Sequence, residues 1–395
     1  MITNRRIQAI QNLMTQAGWD AVLFAPSADM QYLLDDTTFF WQRTPYTGHY
    51  LLKDTPFLST EKSYFHCRPD LLLWIPAEGE ATVLATFDRA RRMVQTKPDI
   101  VCYFAMLTDH LKPHVKGTKK VGVGLGCESH LKEKLGEIDS SVEIVSAQLM
   151  VESLRKIKDE KEIAALRKAA EFTDYTMGEI VKILRPGVTQ WQVETKLNEL
   201  ALERSCMDLP FDPSCSFLKT GDPRCMKHGG IPKDEPLTPG TSIAFDYGFV
   251  MDGYCSDFGR SFYCGKAPEK IANAYKALQT AQVELLEQIK PGVSLGITFD
   301  ALGKTLDRFG FKDNLSNFAN IGMMGHQIGI DTHEEPWLYN GSELVFEPGM
   351  VMTIEPKIFI PGEVFMRVED MVLITENGCE SLTRFDRDLY ELPLD

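Results

Sequence analysis

The chain has 395 residues, of which 44% are apolar and 25% charged, with a formal net charge of −14. This is the composition of a soluble globular protein, and the length exceeds what one hydrophobic core serves, so two domains are expected. The acidic balance excludes the basic face that a nucleic-acid partner wants, and no run approaches the roughly 20 apolar residues of a membrane helix.

At the start, Arg5 and Arg6 are followed by no apolar run, so no signal peptide is expected. Ile7, Ile10, Leu13 and Met14 form a helical stripe, and residues 21–25 read as a buried strand. Residues 71–75, 81–85 and 121–125 are further expected strands. Between the first two lies an aromatic-rich run, 35–68, with Phe39, Phe40, Trp41, Tyr46, Tyr50, Tyr64 and Phe65. It suits a lid, a partner contact or an insertion packed on its own domain. The glycines at 122, 124 and 126 are spaced GxGxG rather than GxGxxG, which argues against a dinucleotide fingerprint. Nine cysteines form no CxxC pair, the usage of reduced thiols in a cytoplasmic protein. Cys225 and Cys255 read as packing residues, not nucleophiles.

Around residues 148–160 the chain turns polar and charged, which divides it into expected domains at 1–150 and 151–395. A helical period runs from Ile163 through Leu166, Ala170, Met177 and Ile180 to Leu184. Thr189 and Gln192 make a capping box for the next helix. A weak internal repeat follows. Leu184-Arg-Pro-Gly-Val-Thr189 recurs as Ile289-Lys-Pro-Gly-Val-Ser294, each between helical patterns. Downstream, Pro-Gly240 and Pro-Gly349 each launch an apolar run whose sixth residue is a carboxylate, Asp246 in one and Glu355 in the other. Two duplicated halves would place these acids at equivalent points on facing strands.

An acid inside an apolar strand costs several kcal/mol if it stays charged and unpaired. Asp257 lies eleven residues after Asp246, across a Gly- and Asp-containing hairpin loop, so the two are expected to be cross-strand neighbours. Glu355 and Glu369 repeat the pattern of a carboxylate after an apolar run. Four such groups together would repel and resist ionising, and two divalent cations would cancel their charge. His326 supplies a nitrogen donor, and one imidazole among oxygens suits manganese, cobalt or zinc better than calcium. Singly, each residue has a plainer explanation: a strand-edge acid, a core histidine, or, for Glu369 beside Asp370, a solvated pair.

In their flanks and order, Asp246, Asp257, His326, Glu355 and Glu369 resemble the ligand set of the pita-bread metallopeptidases: prolidase, aminopeptidase P, methionine aminopeptidase and their non-peptidase relative creatinase. The resemblance runs from about residue 157 to the C-terminus. It implies an α+β protein, in which a duplicated α/β pita-bread catalytic domain follows a smaller creatinase-like α/β domain. The implied activity is hydrolysis of Xaa-Pro bonds in dipeptides or short peptides by two divalent metal ions, in a homodimer. Asp257 and Glu369 would bridge the metals, Asp246 would complete one position, and His326 and Glu355 the other. Glu355 would shuttle the proton. His228 and His333 match the family's substrate histidines, and Arg367 an arginine that steadies a substrate carboxylate or Glu369. Three flanking residues depart from the pattern: Gln327 and Lys357 where glycine is common, and Gly259 where threonine is. The rival readings are a non-peptidase enzyme acting on a small nitrogen compound, and a catalytically silent binding module, which usually lacks a ligand.

Overall fold

The computed structural model describes residues 4–38, 40–43, 71–86, 96–102, 106–124, 128–204, 206–227, 230–316 and 321–394. Most of the aromatic run 35–68, and His228, lie outside them. Chain contacts define two units, Met1–Arg155 and Lys156–Asp395.

The first unit is built on six strands: β1 (Ala21–Phe24), β2 (Leu71–Pro76), β3 (Thr82–Ala85), β4 (Ile100–Val101), β5 (Lys120–Val123) and β6 (Glu143–Ser146). They form one mixed sheet in the order β4-β3-β2-β1-β5-β6. The described helices of this unit are α1 (Arg5–Ala17), α2 (Ala28–Leu34), α3 (Leu107–Val115), α4 (Glu128–Ile138) and α5 (Gln148–Arg155). Asn4 caps α1, and the expected stripe turns Ile7, Ile10 and Met14 inward. The glycines in and just after β5 serve packing: a Cβ on Gly122 would lie 2.5 Å from the Trp19 ring, and one on Gly124 would strike Phe24. At the end of the unit, Arg155 pairs with the buried Asp29 at 2.6 Å.

The second unit shows the expected duplication. Its first half holds α6 (Glu160–Val181), α7 (Gln190–Glu203), β7 (Ser214–Lys219), β8 (Thr241–Asp246), the short pair β9 (Val250–Met251) and β10 (Tyr254–Cys255), and β11 (Ser261–Cys264). Its second half holds α8 (Glu269–Gln288), α9 (Thr298–Arg308), β12 (His326–Gln327), β13 (Glu334–Trp337), β14 (Val351–Ile354), β15 (Lys357–Ile360), β16 (Val364–Arg367), β17 (Asp370–Ile374) and β18 (Cys379–Ser381). A last strand, β19 (Tyr390–Leu392), returns to pair with β11. The two main sheets run β19-β11-β8-β7 and β13-β12-β14-β17-β18. The capping box opening α7 forms as expected from Thr189 and Gln192.

The repeat is visible bond by bond. Gly187 N–H donates to Leu237 O and Gly292 N–H to Phe346 O, both at 2.9 Å. Leu237 N–H returns to Val188 O at 2.7 Å, and Phe346 N–H to Val293 O at 2.9 Å. Leu237 and Phe346 each stand nine residues before the strand acid of their half. Further along, Gly240 N–H reaches Cys264 O at 2.8 Å and Gly349 N–H reaches Ile374 O at 2.9 Å. Register matches as well: Ser216 pairs with Ala244, two before Asp246, while His326 N–H donates to Thr353 Oγ1 at 3.1 Å, two before Glu355.

Gly187 and Gly292 sit at φ 95° and 82°, with open space where a Cβ would go. A side chain there would cost only left-handed backbone strain, about 1–2 kcal/mol. Gly187→Ala and Gly292→Ala should therefore destabilise by similar amounts in that range, read by denaturant unfolding. A much larger loss at one site would mean that the two turns are not mechanically equivalent.

Candidate metal centre

Strand register brings the acids together. Ala244 pairs with Ser261 and Tyr247 bridges to Phe258, so Asp246 stands opposite Gly259. Asp257, two residues from Gly259, shares that face because side chains alternate along a strand. The two aspartates are thus cross-strand neighbours on the diagonal. The hairpin between them turns at Asp252-Gly253, with φ 49° and 80°, the left-handed pair that a two-residue hairpin demands.

In the second half Ile354 pairs with Asp370, so the next cross-strand position sets Glu355 against Glu369. A backbone bridge joins the halves beside these acids: Glu369 N–H donates to Gly259 O at 2.9 Å. Carboxylate oxygens of Asp246, Asp257 and Glu369 consequently lie within 4.8 Å of one another. His326, on β12, puts Nε2 3.5 Å from Asp257 Oδ2 and 3.8 Å from Glu355 Oε1. The five residues predicted from the sequence converge, and Asp257, His326 and Glu369 are almost wholly buried.

Burial first, then the charges of Asp246 and Glu355, raises the Asp257 carboxyl well above its ordinary range. Glu369 is raised likewise by burial, then by Asp257 and Glu355. For Glu355 burial pushes up, but Lys357, His326 and Arg367 together outweigh it and hold the group at about 2. Lys357 forms an ion pair with Glu355. Arg367 pairs with Asp246 and lies 3.5 Å from Glu369. Among the described residues, Asp257 Oδ1 and Glu369 Oε2 are buried and receive no hydrogen bond. Orphaned carboxylate oxygens beside an imidazole are the donor set of a divalent cation, so the residues fit the metal predicted for them.

Asp246, Asp257, Glu355 and His326 open onto a cavity of about 560 Å³, lined also by His333, Trp337, Lys357 and Phe365. His333 stacks on Trp337 at 5.1 Å and meets the His326 ring edge-on at 4.4 Å. Burial, then the neighbouring His326, lowers its pKa to about 4, so it is neutral at pH 7. Arg367 does not line the cavity and is 8% exposed. Gln327 points away, and its side-chain amide donates to Glu335 O at 2.9 Å. Cys255 is buried, with Sγ donating to Ile330 O at 3.2 Å, and Cys225 is buried too, both as packing residues.

Several supports have no local signature. Asp370 is fully buried on the face opposite Glu369, held by Arg260 at 2.6 Å and Arg387 at 2.7 Å. Arg260 also donates to Glu369 O at 2.5 Å. The pair beside Glu369 is therefore an internal clamp and not a solvated edge. Gly259 has a steric reason: a Cβ there would strike the Arg367 side chain and lie 2.8 Å from Phe245 O and 2.9 Å from Glu369 Oε2. The space of the family's usual threonine is filled by Arg367.

Two results should follow. Asp257 and Glu369 hold protons above the ordinary carboxylate range, so cation binding must expel them. Calorimetry in mildly acidic buffers of different ionisation enthalpy should register net proton release, with affinity rising with pH. By the same sign, metal-free protein should lose stability as pH climbs from the usual carboxylate range through the raised values. Separately, Gly259→Thr should cost about 1–3 kcal/mol by overpacking, and Arg367→Ala in that background should return part of it; strict additivity in unfolding experiments would disprove the contact.

Comparison with known proteins accords with this geometry. An uncharacterized peptidase of Bacillus subtilis strain 168 is 27% identical over 98% of this chain and 100% of its own length. A Xaa-Pro dipeptidase of Lactobacillus delbrueckii subsp. lactis is 31% identical over 61% of this chain and 63% of its own. Among solved structures, a Xaa-Pro dipeptidase from Bacillus anthracis superposes with a TM-score of 0.78 over 98% of this chain and 99% of that one, at 24% identity, a likeness of fold. Residues 164–376, more than half of the sequence, match the model of one family, and the chain belongs to metallopeptidase family M24.

Proposed function

We propose that the chain hydrolyses the Xaa-Pro bond of dipeptides or short peptides with two divalent cations, manganese before cobalt or zinc. The observation that carries this reading is the convergence of Asp246, Asp257 and Glu369, with His326 and Glu355 beside them, at one cavity. Proline specificity draws its support from relatives named Xaa-Pro dipeptidase. No described helix is long and apolar enough to cross a membrane, and the described cysteines are free. Both facts suit the cytoplasmic location included in the proposal, as is a homodimer.

Bound divalent cations supply Lewis acidity, acidifying water and polarising the scissile carbonyl. The chain's own part would start with holding them, through the carboxylates of Asp246, Asp257, Glu355 and Glu369 and the imidazole of His326. Glu355 accepts the proton of the attacking water and delivers it to the departing proline nitrogen, so that water is added across the bond. His333, neutral and facing the cavity, donates a hydrogen bond to the developing oxyanion. His228 shares that role on the strength of the resemblance. Arg367, buried against Asp246 and Glu369, steadies those ligands.

On a panel of Xaa-Pro dipeptides and tripeptides, purified protein should turn over with manganese and stop with chelator. Asp257→Asn and Glu369→Gln should each lower kcat/KM by about 100-fold or more. A folded, metal-loaded protein inert on every peptide would instead favour a creatinase-type reaction on a small nitrogen compound.

A further inference from the structure

Lys357 is the one lysine or arginine among the described residues lining the cavity. Its side chain is 25% exposed, and its ion-pair partner among the described residues is Glu355 alone. Arg367 is committed to Asp246 and Glu369 and does not line the cavity. When Glu355 turns its oxygens to a cation, the ammonium of Lys357 is left facing the cavity and needs another anion, since a half-buried unpaired charge is costly. Formal charge points the same way. Four carboxylates against two dications, Lys357 and Arg367 leave the site at plus two. An attacking hydroxide accounts for one negative charge and leaves one more to be met.

We propose that Lys357 binds the free α-carboxylate of the residue following the scissile bond, making dipeptides the preferred substrates. This rests on the peptidase reading above and decides the length of substrate it takes. Geometry supports it. Only three backbone bonds of about 1.3–1.5 Å separate the scissile carbonyl carbon from the carboxyl carbon of a dipeptide, so its anchor must lie within one residue of the reacting centre. Lys357 touches Glu355, whose carboxylate is 3.8 Å from His326 Nε2. In a tripeptide a neutral peptide group would occupy that place.

The test compares kcat/KM for one Xaa-Pro dipeptide and its C-terminal amide, using manganese-loaded wild type, Lys357→Met and Lys357→Arg. Wild type should favour the acid by about 10- to 100-fold, mainly through KM. Lys357→Met should bring the ratio near unity while still cleaving the amide, and Lys357→Arg should keep much of the preference. Calorimetry of L-proline against prolinamide should show the same discrimination without turnover. An unchanged ratio in Lys357→Met, or a wild type indifferent to the carboxylate, overturns the proposal while leaving the peptidase reading intact. Loss of metal from Lys357→Met also overturns it, since the lysine would then serve Glu355. Wild type inert on acid, amide and every other peptide brings down both.

Discussion

Charge compensation governs this molecule. Four carboxylates meet at the seam between two halves of one unit, three of them with oxygens inside 4.8 Å. Two cationic side chains, Lys357 and Arg367, paired across β15 and β16, touch the cluster at Glu355 and at Asp246. Four negative charges against two positive leave minus two, and burial first, then the neighbouring acids, raise Asp257 and Glu369. A proton-bound cluster and a cation-bound one are two solutions to the same imbalance. The fold itself is indifferent to which is chosen, because the acids are positioned by strand register and not by one another.

That positioning is rigid. Glu369 is fixed by its own backbone bridge to Gly259, by Arg260 on its carbonyl, and by the Asp370 clamp on the reverse face. Arg260 is buried over the Phe258 ring at 4.4 Å and donates to Phe385 O and Asp386 O, so one side chain ties both halves to the segment before the last strand. Ligand geometry here is set by buried elements, whereas the cavity that receives a substrate is lined by side chains of more varied origin.

The sequence revealed what depends on local pattern. Proline-glycine turns, apolar runs ending in an acid and a capping box are short-range signals, and each corresponds to an observed element. The matched Pro-Gly turns were readable because left-handed glycines leave a fixed mark. What escaped depends on tertiary approach. The diagonal offset of Asp246 and Asp257 follows from where the strands pair, which the hairpin loop alone does not dictate. Lys357 and Gly259 stood out as departures from a family pattern, but their meaning required knowing which side chain fills the space beside each. Arg260 and Arg387 join Asp370 across intervals of 110 and 17 residues, one of them far beyond any periodicity.

Duplication also makes the halves unequal in a way their matched register exposes. Ser216 in β7 and His326 in β12 occupy corresponding positions, each set against the residue two before its strand acid. One copy of the scaffold thus carries an imidazole at this position and the other a hydroxyl-bearing side chain. A cation held at the seam would therefore take nitrogen from one half only, through His326.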